Sequence, residues 1–312
     1  MGDPSGIGAQ IILKALSRLK TNANIVIIGD RFVFEKARQL CALAPTGAGT
    51  ADLFVDLNNV RREKFKFGRL SKENGKASLE YIDKALELIK DKKIDCLVTC
   101  PVSKEAINKS GFAFSGHTEY LAEKSNTADF VMMLLNRKLK TVLLTRHLPV
   151  KRVSSHINSN RLLSTITITY KGLKKYFSIK SPRIVICGLN PHASDNGVIG
   201  SEENNIIKPA IKKLAKDFPG LTGPVSADIA ITKTVRKQFD CCVAMYHDQA
   251  LIALKLLGYN KGANITLGLP FVRTSPLHGT AFDIAATCKA KPDSLIEAIK
   301  LAIKCCQNQK RA

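Results

Sequence analysis

Short apolar, β-branched runs alternate along the chain with stretches that repeat at helical spacing. The apolar side chains Ile7, Ile11, Leu16 and Leu19 recur at intervals that predict an amphipathic helix, and a second stretch begins at Leu79. We predict buried strands at eight runs, which are Ile25–Ile28, Leu53–Leu57, Ile94–Thr99, Phe130–Leu135, Thr141–Thr145, Arg183–Cys187, Cys241–Met245 and Asn264–Leu267. This order predicts an α/β architecture with largely parallel sheets covered by helices.

The chain has 312 residues, and at about 100–200 residues per domain this length suits two domains. No internal repeat or long linker interrupts it, so we expect a boundary inside a short connection near Lys109–Gly116. No apolar run reaches the ~18–20 residues that a membrane span needs, and no secretory signal opens the chain. We therefore expect a folded, cytoplasmic protein.

The chain is strongly basic: 48 Lys and Arg against 26 Asp and Glu give a net charge of +22. Such an excess attracts phosphates and nucleic acids. The basic residues are spread along the chain, however, and aromatic residues make up only 6%, with no Trp for stacking on bases. The pattern favours solvated lysine-rich helix faces over a specific nucleic-acid site.

Nine cysteines are present, and no pair of them has Cys-x-x-Cys spacing. Several lie in or beside apolar runs, where a thiol behaves as a small hydrophobic group. We expect a reducing compartment, with neither a disulfide framework nor a zinc ribbon.

Three of the six histidines share one position in the predicted topology. His147, His192 and His247 are each the first imidazole after a buried strand. Ligands of open α/β sheets bind beyond the carboxyl ends of strands, so the three rings can converge on one edge. Three imidazoles that leave one position open form a catalytic divalent-metal site. The alternative is three ordinary hydrogen-bonded histidines at the surface.

Two aspartates lie close to these histidines in the sequence. Asp228 follows Gly-Pro-Val-Ser-Ala, and Asp248 is next to His247. Both are candidates for orienting a metal ligand or for moving a proton. The alternative for Asp228 is an N-cap at the start of a helix.

Glycine-rich turns supply further candidates for ligand binding. Gly2–Gly8 runs into a helix, and Ser115–Glu119 is a similar turn with two hydrogen-bonding side chains. Lys255, Asn264 and Arg273 could clamp a phosphate, or could be two surface cations and a turn residue. The segment His278–Ala285 joins a tight turn to a predicted helix. No Gly-x-Gly-x-x-Gly follows a strand, so a dinucleotide site would be of another type.

Taken together, these segments resemble the 4-hydroxythreonine-4-phosphate dehydrogenase family, over nearly the whole chain from Gly2 to about Ala286. The segments that match are Gly2–Gly8, Pro101–Lys104, Gly116–Glu119, His147–Pro149, Asn190–Ala193, Gly223–Asp228, Tyr246–Gln249 and Asn264–Pro270 followed by Arg273–Ser275. The segment His278–Ala285 also resembles the nucleotide-binding turn of the isocitrate and isopropylmalate dehydrogenases.

The resemblance implies a two-domain fold like that of isocitrate and isopropylmalate dehydrogenase. The first α/β domain would span residues 1–112 and 265–312, with the nucleotide-binding part near 264–285. The second, at residues 113–264, would carry the metal ligands and the interface of a homodimer with a shared active site. No membrane or specific nucleic acid is implied as a partner.

The resemblance also implies roles for individual residues. A divalent metal (zinc, magnesium or cobalt) would bind His147, His192 and His247, one of them from the partner subunit. The substrate would contact His117, Thr118, Lys255, Asn264 and Arg273. Lys104, Asp228 and Asp248 would be catalytic, and Gly268, His278 and Asp283 would bind NAD. The implied reaction oxidises and decarboxylates 4-phosphohydroxythreonine in pyridoxine 5'-phosphate (vitamin B6) synthesis.

Three departures from the family pattern are visible. A strand normally precedes the glycine turn, whereas this sequence opens at Met1-Gly2, so either the start lies downstream of the real one or a strand is lost. Ala9-Gln10 replaces Pro-Glu, and Ser194–Gly197 replaces a glycine-rich stretch. Two alternatives stay open: a dehydrogenase for another four-carbon phosphorylated acid, such as threonate or erythronate 4-phosphate, and a non-catalytic phosphate- or nucleic-acid-binding protein.

Overall fold

A computed structural model describes residues 1–43, 53–258 and 261–311 of the chain. Its strands, in chain order, are β1 (Val26–Gly29), β2 (Leu53–Asp56), β3 (Cys96–Val98), β4 (Val131–Leu135), β5 (Lys140–Leu143), β6 (Ile184–Cys187), β7 (Leu221–Val225), β8 (Cys241–Ala244), β9 (Ala263–Leu267) and β10 (Val272–Pro276). Its α-helices are α1 (Gly8–Leu16), α2 (Arg31–Leu40), α3 (Lys72–Lys90), α4 (Lys104–Lys109), α5 (His117–Lys124), α6 (Ser159–Phe177), α7 (Lys208–Leu214), α8 (Ala227–Val235), α9 (His247–Leu256) and α10 (Asp293–Arg311).

The chain divides into two compact units. Unit 1 contains Met1–Asn126 and Phe271–Ile303, and unit 2 contains Thr127–Pro270 and Lys304–Ala312. The division falls later than the expected boundary near residues 109–116. The physical reason is that α4 packs against α3, and Arg273 holds Thr118 at the start of α5, so residues 104–126 belong with unit 1.

Unit 1 pairs β1 with β2 and β3 with β10, both in parallel. Helices α1, α2 and α3 bury apolar faces in one core, which includes Leu13, Phe34 and Tyr81. Helix α3 begins at Ser71, whose Oγ accepts a hydrogen bond from Asn74 N (3.3 Å). Helices α3 and α4 approach so closely that a Cβ at Gly75 would collide with the backbone of Ala106.

Unit 2 arranges its strands in the order β9-β4-β5-β8-β6-β7. Strand β4 is antiparallel to both β9 and β5, whereas the β5–β8, β8–β6 and β6–β7 pairs are parallel. Every residue of β6, β8 and β9 is buried, as expected for strands covered on both faces. The predicted α/β class is confirmed, with an antiparallel element added by β4.

Each of the eight predicted runs coincides with a strand, and no strand end differs from the predicted one by more than two residues. The sequence analysis missed two strands. Strand β7 contains Gly223 and Pro224, which are uncommon inside strands, and β10 has a polar centre, Arg273–Ser275, although every residue of it is buried. None of the helices in the described ranges is long and apolar enough to cross a membrane.

Two expectations are wrong. The segment after His278 does not form the predicted helix: residues 282–288 form turns, with backbone bonds such as Ile284 N to Ala281 O (3.2 Å), and the next helix begins only at Asp293. Cys41 and Cys288, 247 residues apart, form a disulfide within unit 1. Local cysteine spacing could not predict it, because the fold brings the end of α2 against the segment before α10.

Candidate active site

A buried arginine organises the first cluster, which lies entirely in unit 1. Arg273, on β10, is 3% exposed. Its Nη2 donates to Thr99 Oγ1 (2.7 Å) and its Nη1 donates to Thr118 Oγ1 (3.3 Å). Strand β3 pairs with β10 and therefore places Thr99 next to the arginine. Burial lowers the pKa of Arg273 to about 10, a shift that Glu119 opposes, so the guanidinium is charged at neutral pH.

His117 begins α5 and lies next to Thr118. Its Nε2 atom is buried and has no hydrogen-bond partner among the described residues. Burial, followed by the positive charges of Arg273 and Lys104, holds the pKa of His117 well below its usual value. The ring is therefore neutral at physiological pH, with a nitrogen available to a ligand. We call Thr99, Lys104, His117, Thr118 and Arg273 the Arg273 cluster.

Lys104 lies on the other side of the start of α5. A Cβ at Gly116 would lie 3.5 Å from Lys104 Nζ and 2.6 Å from Glu119 Oε2, so both side chains flank the glycine. Ser103 caps α4, with its Oγ accepting from Ala106 N (3.1 Å), and so fixes where Lys104 begins the helix. Two cations and a helix N-terminus at one place favour an anionic ligand.

The glycine-rich opening packs against the loop that follows β3. Gly2 has φ 78°, and a Cβ there would collide with Pro101 O, so glycine is required. Asp3 N donates to Pro101 O (2.9 Å), and Asp3 Oδ1 accepts from Ser5 N (2.9 Å). Burial raises the pKa of Asp3 to about 6, against the opposing effect of hydrogen bonds from Ser5 and Ser103.

The three histidines of the predicted metal site all belong to unit 2. His147 follows β5, His192 follows β6, and His247 is the first residue of α9 after β8. These strands are neighbours in the order β5-β8-β6 and run parallel, so their carboxyl ends share one edge of the sheet. The predicted topological position is confirmed, and we call this region the histidine edge.

His147 and His247 are brought together at this edge. Their ring centroids are 5.8 Å apart. Two imidazoles on one zinc ion, each at a Zn–N distance of about 2.0–2.1 Å, have centroids about 5 Å apart, so this pair fits a shared ion. His247 Nδ1 bonds Asp248 Oδ1 (2.6 Å), which leaves Nε2 for a ligand.

His192 lies on an unusual turn. Residues 192–196 all have positive φ, between 44° and 69°, although none of them is glycine. Each left-handed non-glycine residue costs about 1–2 kcal/mol, so the surroundings must hold the turn in place. Ala193 packs so closely on the end of β6 that a Cβ at Gly188 would lie 2.8 Å from its Cα.

Over residues 1–43, 53–258 and 261–311, no three His, Cys, Asp or Glu side chains are grouped closely enough to hold a metal. His192 therefore does not complete a set with His147 and His247 within the chain. It lies near Asp228, whose pKa is below its usual value chiefly because Ser226 Oγ donates to Oδ1 (2.6 Å), with a smaller contribution from His192. Ser226, not Asp228, is the N-cap of α8, so the capping alternative is wrong.

The remaining predicted residues are dispersed over the two units. In unit 2, Lys255 is exposed on α9 and Asn264 is buried on β9. Gly268 has φ 102°, and a Cβ there would lie 2.6 Å from Asp129 O, so backbone conformation and packing explain why this residue is glycine. In unit 1, His278 has a buried Nε2 without a hydrogen-bond partner among the described residues, and Asp283 is exposed.

Sequence analysis missed two residues that shape these regions. Thr99 is the last residue of the predicted run Ile94–Thr99. It lies directly after β3, and this position at a strand end is the signal that marks it as a candidate site residue. Gln249 connects two strand ends: its Oε1 accepts from Met245 N (2.8 Å), and its Nε2 donates to Gly188 O (2.9 Å). It thereby links the segments that lead to His247 and His192.

The comparisons with known proteins agree with this architecture. The family model described as "Pyridoxal phosphate biosynthetic protein PdxA" matches residues 21–302. A 4-hydroxythreonine-4-phosphate dehydrogenase from Sulfurihydrogenibium sp. is 47% identical over 310 residues, which cover 97% of this chain and 96% of the relative. A relative from Oceanobacillus iheyensis, provisionally named D-threonate 4-phosphate dehydrogenase, is 38% identical and covers 97% and 96%.

The comparison with solved structures agrees with these sequence comparisons. The crystal structure of 4-hydroxythreonine-4-phosphate dehydrogenase from Klebsiella pneumoniae superposes with a TM-score of 0.89 at 34% identity, and the alignment covers 98% of each chain. The resemblance noted from the sequence motifs is thereby confirmed. The chain belongs to the family of the pyridoxal phosphate biosynthetic protein PdxA.

Proposed function

We propose that the protein oxidises 4-phosphohydroxythreonine with NAD and releases carbon dioxide, giving 3-amino-2-oxopropyl phosphate for pyridoxine 5'-phosphate synthesis. In this reaction a hydride leaves the C3 carbon for NAD and the hydroxyl proton leaves to a base. The resulting β-keto acid then loses its carboxylate as carbon dioxide, and the amino-bearing carbon takes up a proton in its place. The observation that carries the proposal is the Arg273 cluster, a buried cation beside a neutral imidazole in a chain of this family. Cytoplasmic location remains part of the proposal.

The Arg273 cluster suits an anionic, hydroxylated substrate. Thr99 and Thr118 hold the guanidinium in one orientation, so little side-chain entropy is lost when an anion binds. The buried Nε2 of His117 offers a further hydrogen bond. We propose that Lys255 and Asn264 also contact the substrate. Binding the phosphate and its neighbouring groups would fix the reacting carbon, which accelerates the chemical step.

His147 and His247 fit a divalent metal, and we propose His192 as the third ligand. When bound, the metal (zinc, magnesium or cobalt) supplies Lewis acidity at the substrate hydroxyl. Asp248 orients His247 through Nδ1. We propose that Asp228, a carboxylate whose pKa is lowered further from its usual acidic value, accepts a proton at Oδ2. Lys104 would stabilise developing negative charge through its ammonium group.

We propose that NAD forms a hydrogen bond with Nε2 of His278, an atom that is buried and has no hydrogen-bond partner among the described residues. Asp283 is exposed on the same run of turns, where a carboxylate can accept hydrogen bonds from ribose hydroxyls. We retain Gly268 as a proposed cofactor contact, although its packing on Asp129 already explains the glycine. NAD would act as the hydride acceptor.

A homodimer would complete the metal site. Exposed apolar side chains follow each histidine segment: Val150 is 74% exposed, Val198 82%, and Leu256, at the end of α9, 83%. Apolar surface of this kind around a site is typical of a subunit interface. We propose that a second copy covers it and brings one histidine ligand to the pair of His147 and His247.

The test is NADH formation from 4-phosphohydroxythreonine, measured before and after chelation and repeated with His192→Ala. We expect activity to disappear on chelation, to return with added divalent metal, and to be nearly absent in the variant. His156→Ala is the matched control, because within the described part of the chain His156 bonds Ser155 Oγ (3.2 Å) and Arg152 O (2.7 Å), both close in sequence. Full activity after both chelation and His192→Ala would exclude the metal role.

A second candidate is oxidation of D-threonate 4-phosphate, favoured by the Oceanobacillus iheyensis relative at 38% identity. It would use the same phosphate and metal sites and differs only at the amino-bearing carbon. A substrate panel distinguishes the two, because the preferred acid will have the larger kcat/KM. Salt-sensitive binding to generic DNA, without NADH formation on any panel member, would instead support the non-catalytic alternative.

A further inference from the structure

The left-handed turn that carries His192 is held at both ends by one short segment. Residues 203–207 form a single π-helical turn that leads into α7. Three consecutive side chains, Glu202, Glu203 and Asn204, reach from this segment to the two ends of the turn. π-helical turns are rare overall, and those that occur are often found at functional sites.

Glu203 makes the most buried of these contacts. The residue is fully buried, and both carboxylate oxygens bond Asn190: Oε1 accepts from the backbone N (2.8 Å) and Oε2 from Nδ2 (2.9 Å). A Cβ at Gly188 would lie 3.1 Å from Glu203 Oε1, so the carboxylate is close to the end of β6. A buried carboxylate needs such bonds, and they fix Asn190 two residues before His192.

The other contacts are weaker or more exposed. Glu202 Oε2 accepts a second bond from Asn190 Nδ2 (2.9 Å), and its Oε1 accepts from Ser154 Oγ (2.5 Å). Asn204 Nδ2 donates to Asn196 O (3.0 Å), at the far end of the turn. The left-handed residues therefore lie between two anchors, of which Glu203 is the buried one.

From this arrangement we infer that Glu203 is a positioning residue for His192. Without the Glu203–Asn190 bonds, the turn would relax toward the right-handed conformations that Ala193, Ser194 and Asp195 prefer. That relaxation would move the His192 imidazole away from its metal-binding position. The inference rests on the proposed function, in which His192 is a metal ligand, and adds a residue that touches neither metal nor substrate.

The variant Glu203→Gln tests the inference, because it keeps the side-chain shape and presents an NH₂ group to one of the two Asn190 donors. The readout is the dissociation constant of Co²⁺ for the metal-free protein. Binding is monitored through the visible absorption of Co²⁺, at a temperature well below that of unfolding. We expect Co²⁺ to bind about tenfold more weakly, in line with other residues that orient metal ligands. We also expect kcat at low Co²⁺ to fall and to recover at high Co²⁺.

Asn204→Ala is the second variant, because it releases the far end of the turn and removes no buried charge. It should weaken Co²⁺ binding about threefold, less than Glu203→Gln, because a single amide hydrogen bond contributes less than a charged one. It decides the question if Glu203→Gln fails to fold. Lys208→Ala is the matched control. Lys208 Nζ donates to Asn204 Oδ1 (2.7 Å) and, among the described residues, does not bond the turn, so Co²⁺ affinity should be unchanged.

The outcomes separate the inference from the proposed function. Wild-type binding of Co²⁺ together with unchanged affinity in Glu203→Gln and Asn204→Ala would overturn the positioning role and leave the dehydrogenase proposal intact. A lower melting temperature without weaker Co²⁺ binding would show a purely structural role and would also overturn it. If the wild-type protein binds no Co²⁺, the metal role of the histidines fails, and the inference fails with it.

Discussion

The Arg273 cluster and the histidine edge differ in how much of their geometry one chain determines. In the Arg273 cluster, two threonines hold a buried guanidinium and the ligand-facing nitrogen of His117 is already buried. At the histidine edge, two rings are adjacent and the third does not complete a metal-binding group with them among the described residues. The difference teaches that a buried cation and its hydrogen-bond partners can be organised within a single unit, whereas we propose that the metal site needs a second copy.

The largest expected effect is at the histidine edge. His247→Ala removes one of the two adjacent rings, and we expect kcat/KM to fall on the order of a thousandfold, because Lewis-acid stabilisation contributes several kcal/mol. Co²⁺ affinity of the variant, measured in parallel, should fall more than a hundredfold. His156→Ala should leave both quantities within twofold. Retention of metal by His247→Ala would place the ion elsewhere and remove the contrast between the two regions.

The next effect concerns the stability of unit 1. Breaking the Cys41–Cys288 disulfide should lower the free energy of unfolding by about 3 kcal/mol, because the link restricts the unfolded chain over a long loop. Thermal unfolding with and without reductant measures this change. The Cys41→Ser/Cys288→Ser double variant should match the reduced wild type and show no response to reductant. Equal stability of the oxidised and reduced wild-type protein would contradict the expectation.

Arg273→Lys tests how far the first cluster depends on orientation. Lysine keeps the charge but cannot reach both Thr99 and Thr118 with a planar fork, so we expect kcat/KM to fall about a hundredfold, or about 2.7 kcal/mol. Steady-state kinetics on 4-phosphohydroxythreonine provides the measurement. Arg18→Lys, at an exposed arginine of unit 1, is the matched control. A variant as active as the wild type would mean that charge alone suffices.

The smallest effect is a pH dependence at Asp3. Its pKa of about 6 in the folded protein exceeds the usual 3.8, a difference equivalent to about 3 kcal/mol. The folded state binds the proton more tightly, so stability from this group is present below pH 4 and is lost as the pH rises through 6. Asparagine keeps an Oδ1 acceptor for Ser5 N but carries no charge, so most of this difference is recovered and Asp3→Asn should be more stable than wild type by about 2 kcal/mol at pH 8.

Denaturant unfolding at pH 4 and pH 8 measures this difference. The advantage of Asp3→Asn should be confined to the higher pH. The same advantage at both pH values would show that ionisation of Asp3 is not its cause.

Buried strands and the residues after them could be predicted from the sequence, because a short apolar, β-branched run is typical of a strand that is covered on both faces. His147, His192 and His247 were located in this way. Arg273 is a candidate phosphate contact from the sequence, but its strand β10 was not predicted, because β10 is polar although it is buried. Thr274 Oγ1 bonds Ala298 O (2.8 Å), and Thr99 and Thr118 bond the guanidinium. Its polar groups are satisfied by distant residues, which no local pattern reveals.

The turn after β6 shows a second limit. Ala193 and Ser194 have no intrinsic preference for positive φ, so their sequence does not indicate a left-handed turn. The cause is tertiary, since Glu203 and Asn204 hold the turn from another segment. The position of His192 after a predicted strand makes it a candidate from the sequence, but the contacts that hold its turn are visible only in the fold.

Gln249 has a consequence for how this sheet edge can vary. One amide group spans the carboxyl ends of two strands, at Met245 and Gly188, so the spacing between the following loops is set before any small molecule arrives. Insertions in the loops after Met245 and Gly188 could change the surface of this sheet edge without breaking the two Gln249 hydrogen bonds. Relatives that act on different acids could therefore differ in these loops and still keep the hydrogen bonds that Gln249 makes between the two strand ends.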